Sequence, residues 1–351
     1  MLLTLTPVVS IVLAFALSFA LTPLVLKLAL RLGAVDKLNA QKIHARDIPR
    51  LGGLAIAAGF YVPVLGLVFR TNEYANDIYE QRGRVVALLG GGLVILALGV
   101  YDDLRGARAW QKLAVQIPVA ILAWWAGARI GETSALGNAT ISLQPVLSLG
   151  ATVLWIVLVV NALNLIDGLD GLASGLALQA LIATAICALH RGSPALALFA
   201  LCLSGATGGF LVHNFHPASI FMGDAGSMFL GYVLAIATVW SSQKAATMVG
   251  VVLPAVALGL PLLDTSMAVF RRVRARRPMM SGDLDHVHHR LLRRGWSQRR
   301  SVLALYAVGF FFSALSVALV YLGDTRYDWP LVGFGVVSAL AFARWLGYLD
   351  G

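Results

Sequence analysis

Residues 161–171 read NALNLIDGLDG, with a long apolar run on either side. Two asparagines and two aspartates therefore stand where a membrane segment ends. A carboxylate at the bilayer centre costs about 2.5–3.5 kcal/mol on insertion scales, so a chain this apolar keeps Asp167 and Asp170 there for a function. A spacing of three places Asn161, Asn164 and Asp167 near one face of a helix. The two Asp-Gly steps predict that the helix breaks there and frees backbone groups for a ligand.

The flanking composition sets the fold class. The chain has 351 residues, 59% hydrophobic and 13% charged, with a mean hydropathy of +0.80. Soluble domains carry about 25% charged residues. The expectation is an all-α, polytopic integral membrane protein. Runs long enough to span, about 17–25 residues each, fall near 5–30, 51–69, 84–101, 113–128, 146–165, 171–189, 195–213, 227–241, 246–270, 301–322 and 330–348, about eleven transmembrane helices. The eighth is short. The first is too long for a signal-peptide core and reads as a retained helix. Cys187 and Cys202 both lie in apolar runs and read as packing residues.

Basic residues orient the spans. When the connecting segments are assigned alternately, one side holds six Lys/Arg near 27–50, three in 102–112, ten in 271–300, and Arg344. The other side holds seven. The positive-inside rule puts the first side in the cytoplasm, with the N-terminus outside and the C-terminus cytoplasmic. Orientation thus accounts for the net charge of +10 without nucleic acid. The polar clusters LGAVDKLNAQKIHARDIPRLGG (32–53), YDD (101–103), NALNLIDGLDG, HNFHPASIFMGDAGS (213–227) and SGDLDHVHHRLL (281–292) all fall on that side. Residues 1–351 read as one membrane-embedded domain. Its cytoplasmic loops 31–50, 102–112, 161–170, 213–226 and 271–300 are expected to form the active site.

Each cluster admits more than one chemistry. Asp102 and Asp103 can hold Mg²⁺, act as a base, or mark the interface. Lys112 can snorkel to headgroups or clamp a phosphate. Asp224 lies between glycines where backbone approaches a ligand closely; one carboxylate suits Mg²⁺, and a helix cap is the plain alternative. Ser227 is expected to cap the following helix. His286, His288 and His289 admit a zinc site, but Arg290, Arg293 and Arg294 beside them favour phosphate. Asp264, below the surface in the ninth run, is expected to pair structurally with an arginine or lysine. Lys37, Lys42, His44, Arg46 and Arg50, followed by Gly52-Gly53, can bind phosphate or simply face inward. Together the clusters supply carboxylates for a metal, bases for phosphates and a site at the membrane, which suits phosphoryl transfer from a nucleotide to a lipid phosphate.

VDKLNAQKIHARDIPRLGG, DDL, NALNLIDGLDGLASG, FMGDAGSMFLG and HVHHRLL, in this order from Val35 to Leu292, resemble the polyprenyl-phosphate N-acetylhexosamine-1-phosphate transferases. His-x-His-His resembles the branch that starts O-antigen, enterobacterial common antigen and teichoic acid chains. Phospho-MurNAc-pentapeptide translocases usually carry three consecutive histidines followed by Phe-Glu, which this chain lacks. Leu38, Gln41 and Asp47 depart from the family pattern, which often has proline, arginine and proline there.

The resemblance implies transfer of an N-acetylhexosamine 1-phosphate, GlcNAc-1-phosphate first, from a UDP-sugar to undecaprenyl phosphate with release of UMP. FucNAc, QuiNAc and GalNAc are the alternative sugars. It implies Mg²⁺, with Mn²⁺ as substitute, on Asp224, and Asp102 as base or orienter with Asp103 beside it. It further implies that Asn164, Asp167 and Asp170 shape the nucleotide and metal side, and that Lys112 and the 286–289 loop hold the diphosphate and sugar. Asn161, Lys42 and Arg290 join the substrate-binding set from their clusters. The acceptor phosphate is largely dianionic at neutral pH, with a second pKa of about 6, so single displacement is expected. The implied location is a bacterial inner membrane with the site facing the cytoplasm; a homodimer is one partner this reading allows. Two other classes fit less well. An intramembrane aspartyl protease needs Gly-x-Gly-Asp, and position 221 is Phe. A transporter needs polar groups near the midplane in related halves.

Overall fold

The structure is a computed structural model that describes residues 5–36, 47–68, 74–134, 140–242, 256–274, 276, 285–322 and 325–348. It is all-α apart from two short hairpins. In order come α1 (Leu5–Leu32), β1 (Val35–Asp36), β2 (Ile48–Pro49), α2 (Gly53–Val68), α3 (Ala75–Glu80), α4 (Arg82–Arg105) and α5 (Ala109–Trp125). Then follow β3 (Glu132–Ser134), β4 (Thr140–Ser142), α6 (Pro145–Ile166), α7 (Leu172–His190), α8 (Pro194–Asn214) and α9 (Gly223–Ser242). The chain closes with α10 (Gly259–Arg274), α11 (Val287–Arg293), α12 (Gln298–Tyr321) and α13 (Thr325–Trp345). β1 pairs with β2, and β3 with β4, both antiparallel.

Among the described residues seven helices are long and apolar enough to cross a membrane: α1, α4, α6, α7, α8, α9 and α12. α2 and the apolar stretch Trp329–Trp345 of α13 are shorter. Of the expected run 246–270, residues 246–255 lie outside the described residues, and the described helix there is α10. The run expected to be short, 227–241, is longer than its composition suggested. α9 begins at Gly223, because the Gly-Asp-Ala-Gly stretch read as loop forms its first turn.

α9 is the axis of the bundle. Its membrane-length window is 89% buried, against 22% for α1, so α1 faces outward and α9 is surrounded by protein. Trp240, Tyr232 and Phe229 of α9 are fully buried. Their neighbours approach through small residues, as helices do in lipid where close packing drives association. A Cβ on Gly99 would lie 2.4 Å from the Ala225 Cα, and one on Gly53 would lie 2.1 Å from the Gly226 nitrogen. Three polar tips are satisfied across helices: Tyr61 donates to the Leu89 carbonyl at 2.6 Å, Tyr232 to that of Ala87 at 2.8 Å, and the Trp155 indole to Thr238 at 2.9 Å. Such pairing offsets the cost of taking a polar group out of water. Val9, Val12, Leu24, Val86, Leu122, Leu154 and Phe310 point outward as an apolar coat.

Candidate active site

Four helix ends meet where the polar clusters of the sequence converge. The last turn of α4 carries Asp102 and Asp103, α5 begins three residues before Lys112, α6 ends just after Asn164, and α9 begins beside Asp224. Asp103 accepts the backbone N–H groups of Asp224 and Ala225, each at 3.0 Å. A carboxylate on unpaired N–H groups at the positive end of a helix dipole fixes where that helix starts. Gly223, at φ +73°, allows this approach, since a Cβ there would lie 2.5 Å from an Asp103 carboxylate oxygen.

Asp224 is held from three directions. Asp103 holds its backbone, Lys112 Nζ lies 2.5 Å from Oδ2, and Asn164 Nδ2 donates to Oδ1 at 2.8 Å. Asn164 also reaches the Ser227 hydroxyl at 2.9 Å. Lys112 forms a second ion pair with Asp102, whose other oxygen accepts the Ala107 N–H and closes the turn between α4 and α5. Lys112 thus bridges two carboxylates from different helices.

Beside Asp224 opens a cavity of about 250 Å³, walled by Asp36, Arg50, Asp103, Asp167, Asp170, Asn214, Phe221, Asp224, His289 and Gln298 together with backbone at 168, 169 and 223. Five carboxylates against one arginine make it acidic. Enclosure in this wall, then the charges of Asp224 and Asp103, push the Asp167 carboxyl up to about 8. The donor set fits a hard divalent cation, which takes oxygen ligands and one or two carboxylates completed by phosphate. Asp167 and Asp224 would supply those oxygens in one cavity, where the charge of Arg50 offsets only part of the rise at Asp167. Among the described residues no three His, Cys, Asp or Glu side chains are arranged to hold a metal ion by themselves, so the three histidines do not form a closed zinc site.

A model of glycosyl transferase family 4 matches residues 85–242. A probable undecaprenyl-phosphate N-acetylglucosaminyl 1-phosphate transferase of Bacillus subtilis is 39% identical over 315 residues, 89% of this chain and 85% of that protein. The chain belongs to glycosyl transferase family 4. A decaprenyl-phosphate N-acetylglucosaminephosphotransferase of Mycolicibacterium smegmatis is 37% identical, covering 89% of this chain and 82% of the relative. A phospho-N-acetylmuramoyl-pentapeptide-transferase of a Geobacillus species is 31% identical over 88% of this chain and 96% of its own length. Like these relatives of family 4, the chain is a phosphoglycosyltransferase of the membrane.

The remaining sequence-predicted residues of this family 4 site take varied positions. Asp170 lies at the cavity edge, but its Oδ2 is occupied by the His216 ring at 2.8 Å and the Ala218 N–H at 3.0 Å, so it braces the segment before α9. Asn161 lies one turn below Asn164 and donates to Gln116 Oε1 at 2.8 Å, away from the cavity wall. Ser227 does not cap α9; it sits inside the helix and donates to the Gly223 carbonyl, and the cap is Asp103. Gly52 and Gly53 do not offer N–H groups to a phosphate, because they donate to the Phe221 and Met222 carbonyls at 3.0 and 2.9 Å. Lys42 lies outside the described residues, as do Lys37, Leu38 and Gln41.

The histidines divide. His289 reaches the cavity. His288 is buried against Gly168, and burial with the charge of His289 pushes it down to about 3, so it packs as a neutral ring. His286 pairs with Asp264 at 2.7 Å. Asp264 also accepts the Val287 N–H at 2.8 Å and the Tyr348 hydroxyl at 2.7 Å. The expected pairing of Asp264 is therefore with histidine and tyrosine, not arginine or lysine, and it anchors the start of α11. Arg290 faces the chain end: it stacks 4.1 Å over the Tyr348 ring and donates to the Leu346 carbonyl at 3.1 Å. Asp36, Asn214 and Gln298 were not singled out individually by sequence, and Phe221 was noted only for breaking a Gly-x-Gly-Asp pattern. Asp36, Asn214 and Phe221 lay inside polar clusters already assigned to this side, and Gln298 inside the loop 271–300.

Proposed function

We propose that the protein transfers N-acetylglucosamine 1-phosphate from UDP-GlcNAc to undecaprenyl phosphate, releasing UMP, at the cytoplasmic face of a bacterial inner membrane. The observation that carries this reading is the convergence of Asp102, Lys112, Asn164 and Asp224 at four helix ends beside an acidic cavity. A cation-ready cavity for a diphosphate then adjoins a lysine that can meet a lipid phosphate at the membrane boundary. The names of the B. subtilis and M. smegmatis relatives support GlcNAc and a polyprenyl acceptor. The excess of Lys/Arg on the same side supports the orientation.

In the reaction an oxygen of the acceptor phosphate bonds to the phosphorus bearing the sugar. The bond from that phosphorus to the bridging oxygen breaks, and the electron pair leaves with UMP. The sugar C1–O bond is untouched, so the anomeric configuration is kept. Lys112 is placed to neutralise the incoming phosphate, and Asp102 to orient that lysine. Asn164 fixes the carboxylate plane of Asp224. Asp224 with Asp167 would hold Mg²⁺, for which Mn²⁺ would substitute; such an ion supplies charge neutralisation at the diphosphate. Catalysis is then chiefly positioning and electrostatics. The acceptor arrives largely dianionic, so single displacement needs no strong base.

The lipid-linked sugar so formed would start an envelope glycan of the O-antigen, common-antigen or teichoic-acid type. Purified protein given Mg²⁺, undecaprenyl phosphate and separate UDP-sugars tests the reading. UMP release with UDP-GlcNAc, dependent on the lipid, is expected. Turnover confined to UDP-FucNAc, UDP-QuiNAc or UDP-GalNAc would correct the sugar, and no turnover with any donor would overturn the enzyme assignment.

A further inference from the structure

Arg50 is the described arginine of the cavity wall, and it is paired with a carboxylate in that same wall, Asp36. We propose that Arg50 is a donor-binding residue that leaves Asp36 for the diphosphate when the nucleotide sugar enters, an inference that rests on the transferase reading above. Three observations support the exchange. The Asp36 side chain is 11% exposed and that of Arg50 36%, so the acid is fixed in the wall and the arginine is the accessible partner. The Arg50 backbone is pinned: its N–H donates to the Ala34 carbonyl at 2.9 Å, and the Phe221 N–H donates to the neighbouring Pro49 carbonyl at 2.8 Å. Only the side chain is then free to move. Leu51, fully buried, takes φ +78°, a left-handed conformation that a γ-branched residue adopts under strain and that clusters at ligand sites.

The chemistry of the wall decides the ligand. A diphosphate entering among Asp36, Asp103, Asp167 and Asp224 meets repulsion unless cations face it. A guanidinium fork can take a carboxylate or a phosphate in the same two-bond geometry, so Asp36, which Arg50 holds through Nη2, and a phosphate compete for it. Lys112 and Asp102 do not line this cavity and lie on the other flank of Asp224, which leaves them to the acceptor phosphate. Arg50 therefore serves the donor.

Steady-state kinetics of the purified full-length protein test this, with UDP-GlcNAc and undecaprenyl phosphate varied in turn. Arg50→Gln is expected to raise KM for UDP-GlcNAc about tenfold or more, with the acceptor KM unchanged. Arg50→Lys should fall between it and wild type. Asp36→Asn should shift the donor KM in the opposite direction, about two- to threefold lower, because it frees the fork. That gain should largely vanish in the double variant. An unchanged donor KM in Arg50→Gln, a rise in the acceptor KM instead, or an equal rise in Arg50→Gln and Asp36→Asn would overturn the proposal, the last by marking a structural ion pair. If Arg50→Gln fails to fold, Arg50→Lys and Asp36→Asn decide by the same signs. Active wild type with these results overturns this inference alone; wild type inert toward every UDP-sugar overturns the transferase reading with it.

Discussion

Replacing Asp103 by asparagine separates positioning from chemistry at this site. Asp103 makes two bonds to the first turn of α9, at 3.0 Å to Asp224 N and 3.0 Å to Ala225 N. A hydrogen bond to a charged group contributes about 1.5–3 kcal/mol, and loss of a helix N-cap costs about 0.5–2 kcal/mol. Asparagine keeps one acceptor oxygen, loses the charge that complements the dipole, and turns an amide N–H₂ toward the other N–H. The expected loss is about 2 kcal/mol of stability. Asp224 is one of the two residues released, and a shift of about 1 Å at a reacting centre costs about a hundredfold in rate. Thermal unfolding in detergent and kcat should therefore fall together, with kcat down about a hundredfold and turnover still measurable. An unfolding midpoint equal to wild type with no detectable turnover would refute the capping role and place Asp103 on the reactants. Full activity would refute both.

Asp167→Asn should alter the pH dependence of the metal-free protein. The carboxyl ionises near 8 in the folded protein and near about 3.9 in an unfolded chain, so the folded state holds a proton that the unfolded state has lost. Stability from this group is therefore complete below about pH 4 and declines as pH rises toward about 8. In EDTA the variant should melt higher than wild type at pH 8 and equally at pH 4, and Mg²⁺ should narrow the gap at pH 8. Gly99→Ala should abolish transfer by forcing α4 and α9 apart, since its Cβ would meet the Ala225 Cα at 2.4 Å and the Asp224 carbonyl at 2.5 Å; Gly90→Ala, with open space around it on the same helix, should be silent. Tyr348→Phe removes the hydroxyl on Asp264 but leaves the ring beneath Arg290, so a loss of about 1 kcal/mol in stability with a modest fall in kcat is expected. Removal of residues 346–351 should cost more on both measures.

Hydropathy alone located the helices that hold the site, because membrane length and apolar composition are properties of a contiguous window. The break after Ile166 was equally local: α6 ends there and α7 starts at Leu172, with Gly171 at φ +77° between them. Partner choice was not local. Asp103 and Asp224 stand 121 residues apart, and only the packing of α4 on α9 makes one the cap of the other. Asp170 looked like part of the same acidic motif as Asp167, yet His216 occupies it across 46 residues. The His-x-His-His motif marked its loop but not the division of labour, which Asp264 and the chain end impose from other elements. The start of α9 was missed because Gly-Asp-Ala-Gly has poor intrinsic helix propensity and is stabilised by a tertiary cap.

In this reaction a sugar phosphate, not a sugar, passes to the lipid. UDP-GlcNAc labelled at the phosphorus next to the sugar, supplied with undecaprenyl phosphate and Mg²⁺, tests it directly. The label should enter the lipid phase in equal amount with UMP in the aqueous phase. Label left in the water as UDP, with the sugar alone on the lipid, would contradict it.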